Sequence, residues 1–359
     1  MFRNIDIDVC TVYNGIKNNI IGDIMDKKLT MQDLANILKV SKSTISKALN
    51  NRDDLSKSLK RKIQSSAKEL GYELKSSINK KEKKNKYTIG IITAERYFGE
   101  ADYYYSELYK RTSNKFNSND ITTMLYVLDR KEEKVCNIPL MYTQNKIDGI
   151  ILLGQLNFKY VIMIKELKIP LILLDFYSNN LSIDSISPND YYNSYTITNE
   201  LISLGHKKIV YCGNTKITSG MQDRFLGYYK ALIENNININ YDWIIEDRND
   251  DNIEIDIRLP AVIPTAFVCV CDKTARRLIN ILEEKGILVP RDVSVVFFDN
   301  NLHSTIIHPY ITTIDVDKES LIEMTVDTML KKLNDSNYNA GKKFINGFLV
   351  LKESHKNII

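Results

Sequence analysis

The chain is poor in the residues on which most protein chemistry depends. Its four histidines, His206, His303, His308 and His355, lack the spacing of metal ligands, and its five cysteines include no C-x-x-C pair. An odd count without such a pair supports neither a disulfide framework nor a zinc site. Cys269 and Cys271 alternate within an apolar run and are read as two thiols on one face of a buried strand. No G-x-G-x-x-G, G-x-x-x-x-G-K-[ST] or G-x-S-x-G occurs, so the common dinucleotide, P-loop and serine-hydrolase signatures are missing. No metal, no cofactor, no catalytic residue and no enzymatic activity are expected. No stretch of about 18 apolar residues is free of charge, so no membrane span is expected. The opening residues, MFRNIDIDVC, contain no basic segment followed by a long apolar run. The expectation is a chain without a secretory signal, resident in the cytoplasm.

What is present fits a soluble globular protein of two or three domains: 359 residues, 43% hydrophobic and 26% charged. The formal charge of +4 is unevenly spread. Residues 27–86 hold 17 Lys or Arg against 6 Asp or Glu, a net of +11 that leaves −7 for the rest. A compact basic block on a mildly acidic body suggests a polyanion-binding module joined to a larger domain with another task. A solvated basic linker accounts for Lys80–Lys86, but not for the ordered pattern before it.

That pattern opens at Thr30, an N-cap with Asp33 as its capping-box acid, and continues with Met31, Leu34, Ala35 and Leu38 at helical spacing. Ser41 caps a second helix with Ile45, Ala48 and Leu49 on its inner side. Ser56 starts a third, with Leu59, Ile63, Ala67 and Leu70 inside and Gly71 at its end. The spacing predicts a helix-turn-helix. The outer face of the second helix carries Lys42, Ser43, Thr44, Ser46, Lys47 and Asn50, with no acid among them. Short hydroxyls and long cations suit phosphate contacts and base-edge hydrogen bonds in a major groove. A generic three-helix bundle would share the periodicity.

Residues 87–359 alternate strand-like runs with amphipathic helical stretches. Strands are predicted at Ile89–Thr93, Thr122–Leu128, Gly149–Leu153, Leu171–Asp175, Lys208–Cys212, Ala266–Cys271 and Ser294–Phe298. Helices are predicted at Tyr105–Phe116, Tyr191–Leu204, Asp223–Glu234, Lys273–Glu284 and Lys318–Leu333. Such alternation implies an α/β fold with parallel sheets covered by helices, arranged as two lobes with a cleft at the carboxyl ends of the strands.

LTMQDLANILKVSKSTISKALNN, followed by KELGY, resembles the DNA-binding headpiece of the LacI/GalR family of bacterial repressors. YTIGII, KIDGIILLG, IPLILLDF, LISLGHKKIVYCGN, DRFLGYYKAL, VPRDVSVVFFDN and HPYITTIDVD resemble later family segments, in the family's order. The resemblance implies a headpiece at 28–74, a hinge at 75–86 and a periplasmic-binding-protein-like core. Lobe 1 would be 87–187 with 315–341, and lobe 2 would be 188–314 with 342–359, the chain crossing near Ser187, Asp315 and Gly341. It further implies a homodimer on double-stranded operator DNA, most simply a repressor controlled by a sugar or sugar derivative. Activation stays open from sequence. So does a rival reading, a cytoplasmic sugar-binding protein or enzyme with an incidental basic extension. No leucine-heptad tail follows the last strand-like run, Phe344–Leu351, so a dimer is expected rather than a tetramer.

Candidate effector residues follow. Asp175, Arg224 and Asp299 stand where strands end or a loop enters a helix, and the resemblance gives these positions effector contacts. Strand-end charges in ordinary salt bridges are the alternative. Tyr97, Phe98, Tyr103, Tyr104 and Tyr105 cluster after the first strand, where at least one would stack on a pyranose face, with Tyr104 as the representative; packing within the lobe is the alternative for most of the five. Asp272 follows VCVC, with Cys271 where family members often carry an asparagine. Arg248, after Asp247, replaces an apolar or aromatic residue. It would either serve an acidic or phosphorylated sugar or be a surface residue.

Two further expectations concern the N-terminal region. Met25 lies five residues before Thr30, and Ile21–Ile24 can be encoded with a purine-rich ribosome-binding sequence. Residues 1–24 are therefore expected to be an extension arising from a mis-assigned start, the alternative being an extra helix on the headpiece. In the hinge, Leu74, Lys75, Ile78 and Lys81 stand where the family has proline, asparagine, alanine and the leucine that wedges into the minor groove. Weaker DNA bending and more salt-sensitive contacts are expected, with Ile78 as the substitute wedge.

Overall fold

Thr30 does what its spacing to Asp33 predicts. In the computed structural model its hydroxyl accepts the Asp33 amide at 3.3 Å while the Asp33 carboxylate accepts the Thr30 amide at 2.8 Å. The reciprocal pair satisfies two helix-end donors and starts α1 (Met31–Ile37). The structure describes residues 30–49, 55–70, 72, 87–98, 103–299 and 309–359. The readings of residues 1–24, Asn50 and the hinge lie outside these. The chain divides into two units, residues 1–84 and 85–359.

In the first unit, Ser41 accepts the Thr44 amide at 3.1 Å and opens α2 (Lys42–Leu49), and Ser56 opens α3 (Lys57–Glu69). Leu34, Ala35, Ile45, Ala48, Leu49, Ile63, Ala67 and Tyr72 form the buried core. A bundle this small has little surface to bury, so each such residue carries a large share of its stability. The α1–α2 turn places Lys39 at φ +50°, a left-handed conformation that costs a residue with a Cβ about 1 kcal/mol. Lys39→Gly is expected to raise the midpoint of headpiece thermal unfolding. An unchanged or lower midpoint would mean that the side chain contributes more than the backbone loses.

The second unit begins with β1 (Tyr87–Ala94), α4 (Tyr103–Ser118) and β2 (Ile121–Leu128). Short helices α5 (Arg130–Val135) and α6 (Leu140–Thr143) lead to β3 (Gly149–Leu153), α7 (Phe158–Lys165), β4 (Leu171–Leu174) and β5 (Asp184–Pro188). Then come α8 (Asp190–Ser203), β6 (Ile209–Cys212), α9 (Ser219–Glu234), β7 (Ile244–Ile245), β8 (Ala266–Cys269), α10 (Asp272–Glu284), β9 (Ser294–Phe298) and β10 (Thr312–Asp315). The chain ends through α11 (Lys318–Asn334), β11 (Lys342–Ile345) and β12 (Phe348–Val350). Among the described residues these build two six-stranded sheets, ordered β11-β5-β4-β3-β1-β2 and β12-β10-β9-β8-β6-β7. The pairings are parallel except β10 with β12. Each sheet is apolar on both faces: Ile89, Ile91 and Ile151 pack one way and Ile92, Ile150 and Leu152 the other in the first. Two-sided burial is why these strands read as continuous apolar runs.

The strand membership corrects two boundaries. Lys342–Ile345 pairs with β5 in the first sheet, so the third crossing lies at Asn346-Gly347, not near Gly341. A Cβ on Gly347 would come within 2.5 Å of Ile314 and 2.8 Å of the Asp315 carbonyl, so glycine is what lets the crossing strands approach. The run read as one strand, Phe344–Leu351, is therefore two strands in different sheets. Strand β8 also ends at Cys269, which is buried on one face, whereas Cys271 lies at the start of α10 and packs with the opposite cluster. The two thiols do not share a face. Among the described residues, no helix is long and apolar enough to cross a membrane.

Candidate DNA-reading face and effector cleft

On α2, Ile45, Ala48 and Leu49 point inward, which leaves Lys42, Ser43 and Lys47 exposed and Thr44 and Ser46 half-buried. The Ser41 hydroxyl lies 2.7 Å from that of Ser43 and 2.8 Å from that of Thr44, a hydroxyl cluster at the helix start. An N-terminal helix turn with amides, hydroxyls and a lysine, and no acid, is a surface for phosphate and base edges.

In the core, the carboxyl ends of β1, β3 and β4 face those of β8 and β9. Asp175, just past β4, adopts φ +69°, and Asp299, just past β9, adopts φ +73°. Aspartate tolerates this left-handed geometry better than most residues, and strained backbone of this kind gathers at ligand sites. Tyr104 donates to Asp175 Oδ1 at 2.8 Å and Tyr105 to Oδ2 at 2.7 Å. The Tyr97 ring lies 4.5 Å from that of Tyr105. Gly154 makes this packing possible, since a Cβ there would meet both rings at 2.9 Å. Burial pushes the Asp175 carboxyl up to about 7, with the charges of Asp190 and Asp299 adding to the rise and the two phenols opposing it.

Arg224, on α9, is the hub of the opposite wall. Its Nε donates to Asp190 at 2.8 Å, Nη1 donates to the Val270 carbonyl at 2.6 Å, and Nη1 and Nη2 reach Asp299 at 3.3 Å. The guanidinium lies 4.8 Å from the Phe298 ring centroid. Burial and the charge of Asp299 raise the Asp190 carboxyl to about 6 against the opposing pull of Arg224. The structure thus brings Tyr104, Asp175, Arg224 and Asp299 together with Tyr105 from the same aromatic cluster, and adds Asp190, which the sequence reading did not single out. Asp190 follows an N-cap asparagine and reads as an ordinary helix-start acid. Its partner lies 34 residues away, so local sequence carried no signal for it.

Arg248 and Asp272 belong to a neighbouring group. Arg248 grips the buried Asp247 through Nε at 2.9 Å and Nη2 at 2.6 Å, and Nη1 donates to Asn252 at 3.1 Å. Asp247 also accepts from the Asn214 amide and from Thr274. Arg248 is only 13% exposed, so the reading of it as a surface residue is corrected: its side chain pins the β7–β8 connection to α10. Asp272 pairs with Arg276 one turn along α10 at 2.5 Å. His206 is wholly buried between Thr265, Ser294 and the Lys356 carbonyl, where it ties the C-terminal segment to lobe 2.

Direct bonds already cross between the lobes. Tyr177, past β4, donates its phenol to Asp223 on α9 at 2.9 Å, and its amide to Ser219 at 3.2 Å; the Ser219 amide in turn donates to Gln155 at 3.3 Å. A hydrogen bond to a charged acceptor contributes about 1.5–3 kcal/mol. Tyr177→Phe is expected to shift the lobes towards an open arrangement by that amount, seen as a larger radius of gyration in solution scattering. An unchanged radius would show that the other contacts suffice.

A helix-turn-helix unit joined to a two-lobed α/β core with a polar and aromatic cleft is the build of a ligand-responsive DNA-binding regulator, not of an enzyme. Residues 30–73 match the family of bacterial regulatory proteins, lacI family, and residues 198–355 match the periplasmic binding protein-like domain. The ribose operon repressor of Haemophilus influenzae is 28% identical over 90% of this chain and 98% of its own length. The probable HTH-type transcriptional repressor ExuR of Bacillus subtilis is 26% identical, over 91% and 98%. Among solved structures, the lac repressor dimer bound to operator and the anti-inducer ONPF superposes with a TM-score of 0.64 at 20% identity, covering 92% of this chain and 100% of that one. The regulator CelR in complex with cellobiose gives 0.63 at 18%, covering 91% and 99%; both likenesses show the fold. The chain thus carries a DNA-binding domain of the bacterial lacI family followed by a periplasmic-binding-protein-like domain, and its relatives are LacI-family repressors.

Proposed function

We propose that this protein is a cytoplasmic, homodimeric repressor that reads its operator with Lys42, Ser43, Thr44, Ser46, Lys47 and Asn50 and is controlled by a sugar-like effector. The effector would bind between the lobes at Tyr104, Asp175, Arg224 and Asp299, with Arg248 and Asp272 stiffening lobe 2 beside it. The observation that supports this reading is the convergence, at the strand ends of both lobes, of a forked cation, carboxylates and closely packed tyrosines. That set matches the hydroxyls and apolar faces of a sugar. The relatives' names point the same way: a ribose operon repressor, and a regulator solved with cellobiose. An effector that binds one arrangement of the lobes better than the other shifts operator affinity by that difference, and operator DNA shifts effector affinity equally.

The test is a gel shift of the full chain with DNA from upstream of its own gene. Lys47→Ala is expected to weaken binding at the operator by about 1–3 kcal/mol and to relax sequence choice. If non-specific DNA lost affinity by the same factor, Lys47 would be a phosphate contact only. A chain that bound no DNA, yet bound a sugar, would overturn the regulator reading.

A further inference from the structure

Within the cleft proposed above as the effector site, charge is unbalanced. Asp175, Asp190, Asp223 and Asp299 act on one another or on Arg224 electrostatically, and Arg224 is the single guanidinium among them. Of its five N–H groups, four are engaged: Nε by Asp190, Nη1 by the Val270 carbonyl and Asp299, and Nη2 by Asp299. Of the other cations nearby, Lys342 lies over the Tyr177 ring and donates to Asn179, and the rest are matched by acids. Lys318, whose ammonium lies over the Tyr104 ring, pairs with Glu107 at 2.7 Å. Arg96, beside the Tyr97 ring, is held at 2.6 Å by Glu133, and Arg248 is held by Asp247. Asp175 has two phenols and, among the described residues, no ion-pair partner. The stretches 99–102 and 300–308, adjoining these strand ends in sequence, contain no lysine or arginine; they hold two acids, Glu100 and Asp102, and two histidines, His303 and His308.

We propose that the effector carries a cationic amine, an amino sugar in the simplest case, and that Asp175 with the ring of Tyr105 receives it. A partly buried carboxylate without an ion-pair partner is costly, and an incoming ammonium supplies that partner while gaining contact with the Tyr105 ring. A phosphate or uronate would meet the surplus carboxylates and find one free N–H on Arg224. The acidic or phosphorylated ligand once suggested by Arg248 therefore has no receptor in this cleft.

The experiment measures thermal stabilisation and affinity of the full chain at neutral pH with glucosamine, galactosamine, glucose, galactose, N-acetylglucosamine, glucuronate and glucose 6-phosphate. At least one of the two amino sugars is expected to bind about tenfold or more tightly than its neutral parent. N-acetylglucosamine, which keeps the bulk and loses the charge, is expected to behave like glucose. Asp175→Asn is expected to remove the preference, and a cooperative thermal unfolding transition of the ligand-free variant reports that it is folded. Stabilisation led by glucuronate or glucose 6-phosphate, equal binding of the neutral parents, or no response to either amino sugar would each overturn the proposal. Operator binding separates this failure from that of the regulator reading. A chain that bound its operator and released it with glucose 6-phosphate would remain a regulator with an anionic effector.

Discussion

Replacing Arg224 by alanine is expected to destabilise the core by about 3–5 kcal/mol, the usual consequence of removing one member of a buried ion pair. Asp190 is 8% exposed and Asp299 14%, so neither is well solvated once the guanidinium is gone. The Val270 carbonyl and the face of Phe298 also lose their partner. The geometry makes Arg224 a structural hub as well as a ligand candidate. Urea unfolding of the full chain at neutral pH reads the loss. Adding Asp190→Asn should recover part of it, because the variant then buries one orphaned carboxylate fewer. A loss below about 1 kcal/mol would mean that water reaches this cluster and compensates the acids.

What was legible in the chain was what local physics determines. Thr30 with Asp33, and Ser41 before Lys42, announced their helices because a capping oxygen must lie within three residues of the amide it accepts. Strands buried on both faces announced themselves as apolar runs. What could not be read was whatever a distant partner supplies. Strand β5, Asp-Ser-Ile-Ser-Pro, is buried along its whole length and looks like a loop. Its Asp184 is tolerable only because Lys332 and the amides of Ala340 and Gly341 converge on it from some 150 residues away. Helix α9 starts a turn before the expected Asp223 because Thr218 caps it, a signal hidden in a Ser-Gly stretch that reads as a loop. Half of the cleft behaved in the same way. Asp175, Arg224 and Asp299 were visible as charges at strand and helix ends, whereas Asp223 and Tyr177 acquire their roles only when the lobes come together, and Asp190 only when α8 packs on α9.

Asp175→Asn is expected to stabilise the ligand-free protein, and to do so only where the carboxylate would be ionised. In the folded chain this carboxyl is raised from 3.8 to about 7, chiefly by burial and then by the neighbouring Asp190 and Asp299 charges. The native state therefore holds its proton more tightly than the unfolded chain does. Below about pH 4 both states are protonated and the group is neutral to stability. Between about pH 4 and 7 the unfolded chain ionises first, and stability falls as pH rises. Above about pH 7 the penalty is constant, on the order of 4 kcal/mol for a shift of this size. Asparagine keeps the shape and never ionises, so its advantage over the native residue should grow across that window and then level off. Tyr104 and Tyr105 lose little, since a phenol can both donate to the amide oxygen and accept from its nitrogen. Thermal unfolding of both proteins from pH 4 to 8 measures the difference. A constant offset would show that Asp175 is ionised throughout and already compensated. An amine bound at Asp175 should flatten the native protein's profile between about pH 4 and 7, because the cation supplies an ion-pair partner and lowers the carboxyl's folded-state value back towards 3.8.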